Sequence, residues 1–222
     1  MSSPPRKASV DSGRRLYLKP ENLQPVGSFK LRGAYNKIAS LSDEERARGV
    51  IAYSSGNHAQ GVAYAARALG ARAVIVMPHT APKIKRESTA GMSAELVLVG
   101  PGSDERKAKA EELAAEHGYV IVPPYNDEKI IAGQGTIGLE ILEDLPEIET
   151  VLAPVGGGGL VSGIASAIKL SGSQNGKVKV IGVEPELAAD AAASVRDRAA
   201  GAGERIRAKD SVRRRAPRER AA

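Results

Sequence analysis

Between residues 16 and 183 the chain alternates short apolar runs, rich in β-branched residues, with longer Ala-rich segments. The short runs predict strands over residues 16–19, 49–53, 72–77, 94–99, 119–122, 150–155 and 178–183. The longer segments predict helices over residues 30–41, 58–69, 82–90, 104–117, 127–145 and 160–170. Because these strands are apolar on both faces and alternate regularly with helices, they predict an α/β fold with parallel sheets and right-handed crossovers.

Local signals at the predicted helix ends agree with this pattern. Ser42 and Ser103 each precede acidic residues, which suit the positive end of a helix dipole, so both predict helix starts. Gly70 and Gly118 stand where the C-terminal caps of helices belong.

The two ends of the chain depart from the pattern. The first 15 residues are polar and show no periodicity. Residues 191–222 consist mainly of Ala, Arg, Gly and Glu, so we expect them to form a disordered tail. The net charge of +6 arises entirely in residues 196–222, which hold ten Arg or Lys and four Asp or Glu. The neutral remainder argues against nucleic-acid binding by the folded part, and leaves only the Arg-rich tail as a weak nucleic-acid-binding hypothesis.

The composition excludes several kinds of site. The chain has no Cys, so disulfides, iron–sulfur clusters and thiolate zinc sites are excluded. No apolar run is long enough to cross a membrane, and the first residues lack the apolar stretch of a signal peptide. We therefore expect a cytoplasmic protein without a membrane partner.

Lys30 is the first candidate for chemistry. It lies where a loop meets a helix, next to Phe29, which is the single Phe of the chain. A partly desolvated lysine loses its proton easily and can form a Schiff base with a carbonyl group. Spacing alone favours the alternative, an ordinary lysine on a helix surface.

A run of four glycines is the strongest physical signal. Residues 156–159 are all Gly and stand between a predicted buried strand and a predicted helix. Consecutive glycines can form a nest of inward N–H groups, and a helix start behind them favours phosphate. The alternative is a flexible linker. The run lacks the Lys-Ser/Thr ending of a nucleotide-binding P-loop.

Two further glycine-containing motifs need interpretation. Residues 54–58, Ser-Ser-Gly-Asn-His, lie between a strand and a helix, where backbone N–H groups could bind a carboxylate; the alternative is a simple capping turn. Residues 133–138, Gly-Gln-Gly-Thr-Ile-Gly, match the dinucleotide-binding fingerprint by letter. We reject that interpretation because the motif falls inside a predicted helix and does not directly follow a strand.

The lysine segment, the Ser-Gly-Asn loop and the glycine run, in this order, resemble the fold-type-II pyridoxal-phosphate enzymes, which share the tryptophan synthase β-like fold. The resemblance is strongest to the threonine/serine dehydratase and serine racemase branch, and runs from about Leu16 to Asp190. It implies two open, twisted, mostly parallel sheets flanked by helices. It also implies a large cofactor domain of residues 1–48 and 127–190 and a small substrate-loop domain of residues 49–126. Since the family's later strands and helices do not follow, we expect a truncated chain whose C-terminal part is missing.

The resemblance assigns roles to individual residues. Lys30 would hold pyridoxal 5'-phosphate as a Schiff base and act as an acid/base, and Ser55 would be the catalytic hydroxyl on the opposite face. Cofactor contacts would come from Phe29, Lys30, Asn57, Gly156, Gly157, Gly158, Gly159 and Leu160. The substrate would be held by Ser54, Ser55, Gly56, Asn57 and His58. Glu184 and Asp190, with the carbonyl of Ala188, would bind Mg²⁺ or Ca²⁺.

The activity implied by the resemblance is that of a threonine/serine dehydratase, an ammonia-lyase. Such an enzyme converts L-threonine or L-serine to a 2-oxo acid and ammonia by α,β-elimination. Serine racemase and hydroxyaspartate dehydratase are alternatives, because they share the step that removes the Cα proton. A truncated, catalytically inactive remnant that only binds pyridoxal phosphate is a further alternative. The intact family fold also implies a homo-oligomer.

Overall fold

The computed structural model describes residues 6–172 and 177–196. The chain divides into two compact units, Met1–Val183 and Glu184–Ala222. The helices are α1 (Arg6–Ser12), α2 (Lys30–Ala39), α3 (Asp43–Arg48), α4 (Asn57–Ala68), α5 (Lys83–Ala90), α6 (Ser103–His117), α7 (Glu128–Asp144), α8 (Gly159–Leu170) and α9 (Asp190–Arg196). The strands are β1 (Val50–Tyr53), β2 (Ala73–Pro78), β3 (Glu95–Val99), β4 (Val120–Ile121), β5 (Thr150–Pro154) and β6 (Lys179–Val183).

The strands form two parallel sheets. Four of them are ordered β3-β2-β1-β4, and β5 pairs with β6. Every strand pairing in the described ranges is parallel. This confirms the predicted α/β fold of parallel sheets and helices. No helix among the described residues is both long enough and apolar enough to cross a bilayer.

Each sheet has its own core. On one face of the four-stranded sheet, Val50, Ala52 and Ile75 pack with the buried sides of α2 and α4. On its other face, Ile51 and Val74 pack with Ala110 of α6. The two-stranded sheet packs one face against α7 and α8. The alternation of side chains along a strand explains why β1 contributes to two cores.

Two predictions for the N-terminal part were wrong. Residues 16–19 do not form a strand, and only Leu18 within them makes a strand-like bridge. The first 15 residues, for which we predicted no element, contain α1. This helix has an exposed Lys7–Asp11 pair four residues apart, at 2.7 Å, which stabilises a helical turn without apolar periodicity.

The C-terminal prediction is corrected in one part. Disorder was expected from residue 191, but the structure has a helix, α9, over Asp190–Arg196. The rest of the predicted tail, residues 197–222, lies outside the described residues, so its predicted disorder is untested.

Most of the predicted helix ends are confirmed. Ser42 caps α3 through a reciprocal capping box with Glu45. Gly118 ends α6 in the left-handed conformation, and Gly70 follows α4 with a φ of 69°. Ser103 is the first residue of α6 rather than its cap, which is Gly102.

Candidate functional site

A cavity of about 240 Å³ lies in the first unit, bordered by the first residues of α2 and α8. The residues that line it are Phe29, Lys30, Pro124, Tyr125, Ile130, Gln134, Pro154, Val155, Gly156, Gly157, Gly158, Gly159 and Leu160. Six of the predicted cofactor residues besides Lys30 are therefore around one space, although the lysine and the glycine run are far apart in the sequence.

Lys30 is the first residue of α2, and its amine is largely withdrawn from water. Its Nζ donates a hydrogen bond to the carbonyl of Pro124 at 2.6 Å and lies 5.3 Å from the centroid of the Phe29 ring. Burial lowers the pKa of Lys30 below its ordinary value. At a given pH a larger fraction of Lys30 is therefore in the neutral amine form, the nucleophile, than for a lysine in water.

The glycine loop needs its small residues for two reasons. Gly158 caps α8 with a φ of 82°, a conformation that favours glycine. A Cβ on Gly157 would collide with the ring of Tyr125, which lies directly against the loop. Because α8 begins at Gly159, the unpaired N–H groups of its first turn lie at the edge of the cavity and can bind an anion.

The predicted substrate loop, residues 54–58, does not contribute to the lining of this cavity. Ser54, Ser55 and Gly56 are half-buried and Asn57 is exposed at the start of α4. None of the residues 54–58 lines the cavity. The structure thus brings the lysine and the glycine loop together but leaves Asn57, predicted to contact the cofactor, outside that lining.

The side chain of His58 is buried and bonded to the backbone of the protein itself. Its imidazole is buried, and Nε2 lies 2.9 Å from the carbonyl oxygen of Val122. Burial, with a smaller effect of the charge on Lys30, lowers the pKa of His58 to about 4. The ring links α4 to the end of β4, so any contact of His58 with a substrate carboxylate would have to come from its backbone N–H.

The predicted metal ligands belong to the second unit. The carboxylate of Glu184 accepts hydrogen bonds from the backbone nitrogens of Ala191 at 3.1 Å and Ala192 at 2.9 Å. Both oxygens thus bind the start of α9, as an N-terminal cap does. Ala188 ends a 3-10 turn and Asp190 begins α9. Within the described ranges no cluster of three His, Cys, Asp or Glu could hold a metal ion.

Sequence reasoning missed six residues that line the cavity, namely Pro124, Tyr125, Ile130, Gln134, Pro154 and Val155. The first two follow β4, and the carboxyl ends of parallel strands are where ligands bind in such folds. Gln134 belongs to the glycine motif, residues 133–138, whose dinucleotide-binding interpretation we rejected. As predicted, that motif lies inside a helix, α7.

The glycines of that motif serve helix packing. A Cβ on Gly133 would lie 2.6 Å from Gly33 of α2, and one on Gly138 would lie 2.9 Å from the carbonyl of Ile164 in α8. Helix α7 therefore approaches both α2 and α8 at backbone distance. It holds the helix of Lys30 and the helix of the glycine loop in one fixed arrangement.

An ion-pair network reinforces α2. Arg32 donates to both oxygens of Glu21 at 2.8 Å and to Glu140 of α7 at 2.5 and 2.9 Å. Lys19 lies 2.6 Å from Glu140. Hydrogen bonds from Arg32 and Lys19 lower the pKa of Glu140 to about 2. The network attaches the segment before α2, and α7, to the helix that carries Lys30.

Comparison with known proteins gives the family. A sequence model described as pyridoxal-phosphate dependent enzyme matches residues 4–219. The chain belongs to this family. The matched residues extend beyond the segment Leu16 to Asp190, which carries the resemblance in the sequence, at both of its ends.

Two curated relatives are threonine-degrading enzymes by name. L-threonine ammonia-lyase of Thermotoga maritima is 53% identical over 201 residues, which cover 90% of this chain and 49% of that protein. The catabolic L-threonine dehydratase of Staphylococcus aureus is 54% identical over 171 residues, which cover 77% of this chain and 49% of that protein. The chain spans about half the length of the curated relatives it matches.

Solved structures agree on the fold. Threonine deaminase isoform 2 of Solanum lycopersicum aligns with a TM-score of 0.84 and 45% identity, over 88% of this chain and 53% of that one. Maize serine racemase aligns with a TM-score of 0.83 and 39% identity, over 90% of this chain and 59% of that one. The chain therefore has the fold-type-II architecture, and its structure is similar to those of both a threonine deaminase and a serine racemase.

Proposed function

We propose that this chain provides the cofactor site of a pyridoxal-phosphate-dependent threonine/serine dehydratase, which releases a 2-oxo acid and ammonia from L-threonine or L-serine. The observation that carries the proposal is that one cavity is lined by both the half-buried Lys30 and the glycine loop. One small molecule with an aldehyde and a phosphate would match both ends of that cavity.

The lining residues fit this cofactor. Lys30 offers an amine with a lowered pKa to an aldehyde. Residues 156–160 offer backbone N–H groups to a phosphate, and Phe29 and Tyr125 offer ring faces to a pyridine ring. Bound pyridoxal phosphate supplies an electron sink for the bond between the substrate Cα and its hydrogen.

The chain's own residues would then handle protons and orientation. Lys30 would take the Cα proton, because burial lowers the pKa of its amine and so favours the neutral form that accepts a proton. Ser55 would serve as the hydroxyl on the opposite face, and Ser54, Gly56, Asn57 and the backbone of His58 would bind the substrate carboxylate. These five roles rest on the family resemblance, since the loop does not border the cavity described here.

Alternatives remain within the same chemistry. Serine racemase is supported by the similarity to the maize enzyme. Hydroxyaspartate dehydratase would need only a different substrate side chain. A protein that binds the cofactor without turnover is also compatible with a chain that spans half the length of its curated relatives. For Glu184, Ala188 and Asp190 to bind Mg²⁺ or Ca²⁺, the carboxylate of Glu184 would have to give up its hydrogen bonds from the backbone N–H groups of Ala191 and Ala192.

The test is to add pyridoxal phosphate to the purified full chain and record the visible absorption band of the lysine-bound cofactor. Lys30→Ala should abolish the band, whereas Lys83→Ala, which removes an exposed lysine on α5, should leave it unchanged. Release of 2-oxo acid from L-threonine or L-serine would identify a dehydratase, and formation of D-serine would identify a racemase. A band without turnover would support the binding-only alternative. If the wild-type chain gave no band, the proposed site would be wrong.

A further inference from the structure

Gln134 is a buried polar side chain whose bonding is incomplete. It is 1% exposed and lines the cavity beside Lys30. Its Oε1 has no hydrogen-bond partner among the described residues. Because an unpaired buried acceptor is unfavourable, this oxygen indicates a donor that reaches it in another state of the site.

Lys30 has the complementary deficit. Its ammonium group carries three donors, and the structure uses one of them, toward the carbonyl of Pro124. Among the described residues no carboxylate acts on the charge of Lys30, whose pKa is shifted by burial alone. An amine with donors to spare and an amide oxygen without a donor therefore line the same cavity.

Helix packing holds the Gln134 side chain next to the turn that carries Lys30. The amide of Gln134 lies against Gly33, and a Cβ added to Gly33 would collide with this amide. A Cβ added to Gly163 of α8 would lie 3.1 Å from the Cβ of Gln134. Gly33 is three residues after Lys30, so the two share one face of α2. The lack of side chains at Gly33 and Gly163 gives Gln134 its place.

We propose that Gln134 is a positioning residue for Lys30, its Oε1 accepting a hydrogen bond from the Lys30 ammonium when that group turns from the carbonyl of Pro124 in the cofactor-free protein. The bond keeps the protonated amine in the cavity, facing the space where the reacting atoms lie. The inference deepens the proposed function, and it rests on the role given there to Lys30.

The other ionisable groups around α2 are accounted for. Glu21 and Glu140 bind Arg32, and Asp127 binds Lys37 at 2.8 Å. His58 faces Val122 and is neutral near pH 7 because its pKa is about 4. Of the remaining groups on the facing helices and in the cavity, Glu128, Lys129 and Glu143 are exposed and Asp144 bonds with Lys19. Arg67 lies over the ring of Tyr64, and Tyr125 contributes a phenol. The described carboxylates near α2 thus have other partners or are exposed, which leaves the amide of Gln134 as the acceptor.

The experiment measures the protonation of Lys30 in the full chain without cofactor. Trace acetylation with acetic anhydride at a series of pH values, read by mass spectrometry of the Lys30 peptide against that of exposed Lys83, gives the titration midpoint of the amine. Gln134→Glu places a carboxylate at the same point and should raise the midpoint by about one pH unit or more. Gln134→Met, of similar shape but without the acceptor, should lower it.

The control variant is Leu139→Glu, which adds the same charge to the exposed face of α7. It should leave the Lys30 midpoint unchanged. Equal midpoints in wild type, Q134E and Q134M would overturn the proposal, even if both variants lost stability, since a purely structural role does not move the titration.

A second measurement on the wild-type chain covers the case in which the variants fail to fold. The side-chain carbonyl carbon resonance of Gln134 should titrate with the Lys30 midpoint, and this step should be absent in Lys30→Met. A resonance that does not respond would overturn the proposal. Neither measurement uses the cofactor, so a failure of pyridoxal phosphate to bind would be seen separately from a failure of this contact.

Discussion

The imidazole of His58 carries its proton on Nε2, because the atom it faces is the carbonyl oxygen of Val122, which can only accept. Sequence suggested a substrate ligand at this position, since the residue ends a Ser-Gly-Asn run at a helix start. The run does start the helix, but the direction of one side chain within it depends on the strand that lies beside α4. Lys30 was identifiable from the sequence because the segment around it resembles that of a known family.

A pH dependence follows from the burial of His58. Its pKa is lowered from 6.5 to about 4 in the folded state, so between these values the unfolded chain binds more protons than the folded one. Stability therefore rises with pH in this range and falls on acidification from pH 6.5 to about 4, by on the order of 3 kcal/mol in total.

The measurement is urea unfolding across that pH range. His58→Gln, whose amide can still donate to Val122, should remove most of the acid-dependent loss. The matched control is His79→Gln, which changes an exposed imidazole that also contacts a carbonyl, that of Val99. If wild type and H58Q lost stability in parallel as the pH fell, the buried imidazole would not be the cause.

At the scale of elements, α7 is the part of the fold that connects the two sides of the cavity. Periodicity predicted the helix over 127–145, close to the observed Glu128–Asp144. Periodicity did not predict that the glycines within α7 contact α2 and α8. The sequence does not distinguish a helical glycine that faces solvent from one that faces a neighbouring backbone. The strand predicted over 16–19 is absent, and the segment is held against α7 through the side chain of Lys19, which lies 2.6 Å from Glu140.

Gly163 of α8 tests this packing. A Cβ there would collide with the carbonyl of Ile131 and lie 2.8 Å from the nitrogen of Gly135. Ala favours helices over Gly by about 1 kcal/mol, but the helices would have to separate, and overpacking usually destabilises by about 1–3 kcal/mol.

We expect Gly163→Ala to lower the free energy of unfolding and to weaken pyridoxal phosphate binding, because α2 and α8 would no longer keep their separation. Thermal unfolding by circular dichroism and cofactor titration measure the two effects. Ser166→Ala, at an exposed position of the same helix, should change stability by no more than about 0.5 kcal/mol. A G163A protein as stable as wild type would show that α7 and α8 tolerate a wider spacing.

At the scale of the whole molecule, the two-stranded sheet has apolar side chains on a face that no other described element covers. Leu152 is 62% exposed and Ile181 is 44% exposed, and the two are paired across β5 and β6. Val183 is also exposed on this face. Exposed apolar strands with free edges favour association between molecules.

We therefore expect the chain to self-associate at increasing concentration, and the double variant Leu152→Lys, Ile181→Lys to associate less, as measured by light scattering after size-exclusion chromatography. Ile84→Lys, which removes a 72% exposed side chain from α5, should have no such effect. A wild-type chain that stays monomeric at all concentrations and unfolds in one cooperative transition would contradict this expectation.

By itself the sequence determined the α/β class, the order of the main helices and strands between residues 30 and 183, and the candidacy of Lys30 and residues 156–159. These features are readable because hydrophobic period, helix caps and consecutive glycines act over a few neighbouring residues. Only the tertiary structure decided that Tyr125 lies on the glycine loop, that Gln134 faces the cavity and that His58 does not. Those outcomes depend on which distant segments pack together, and no local pattern in the chain records the direction in which a packed side chain points.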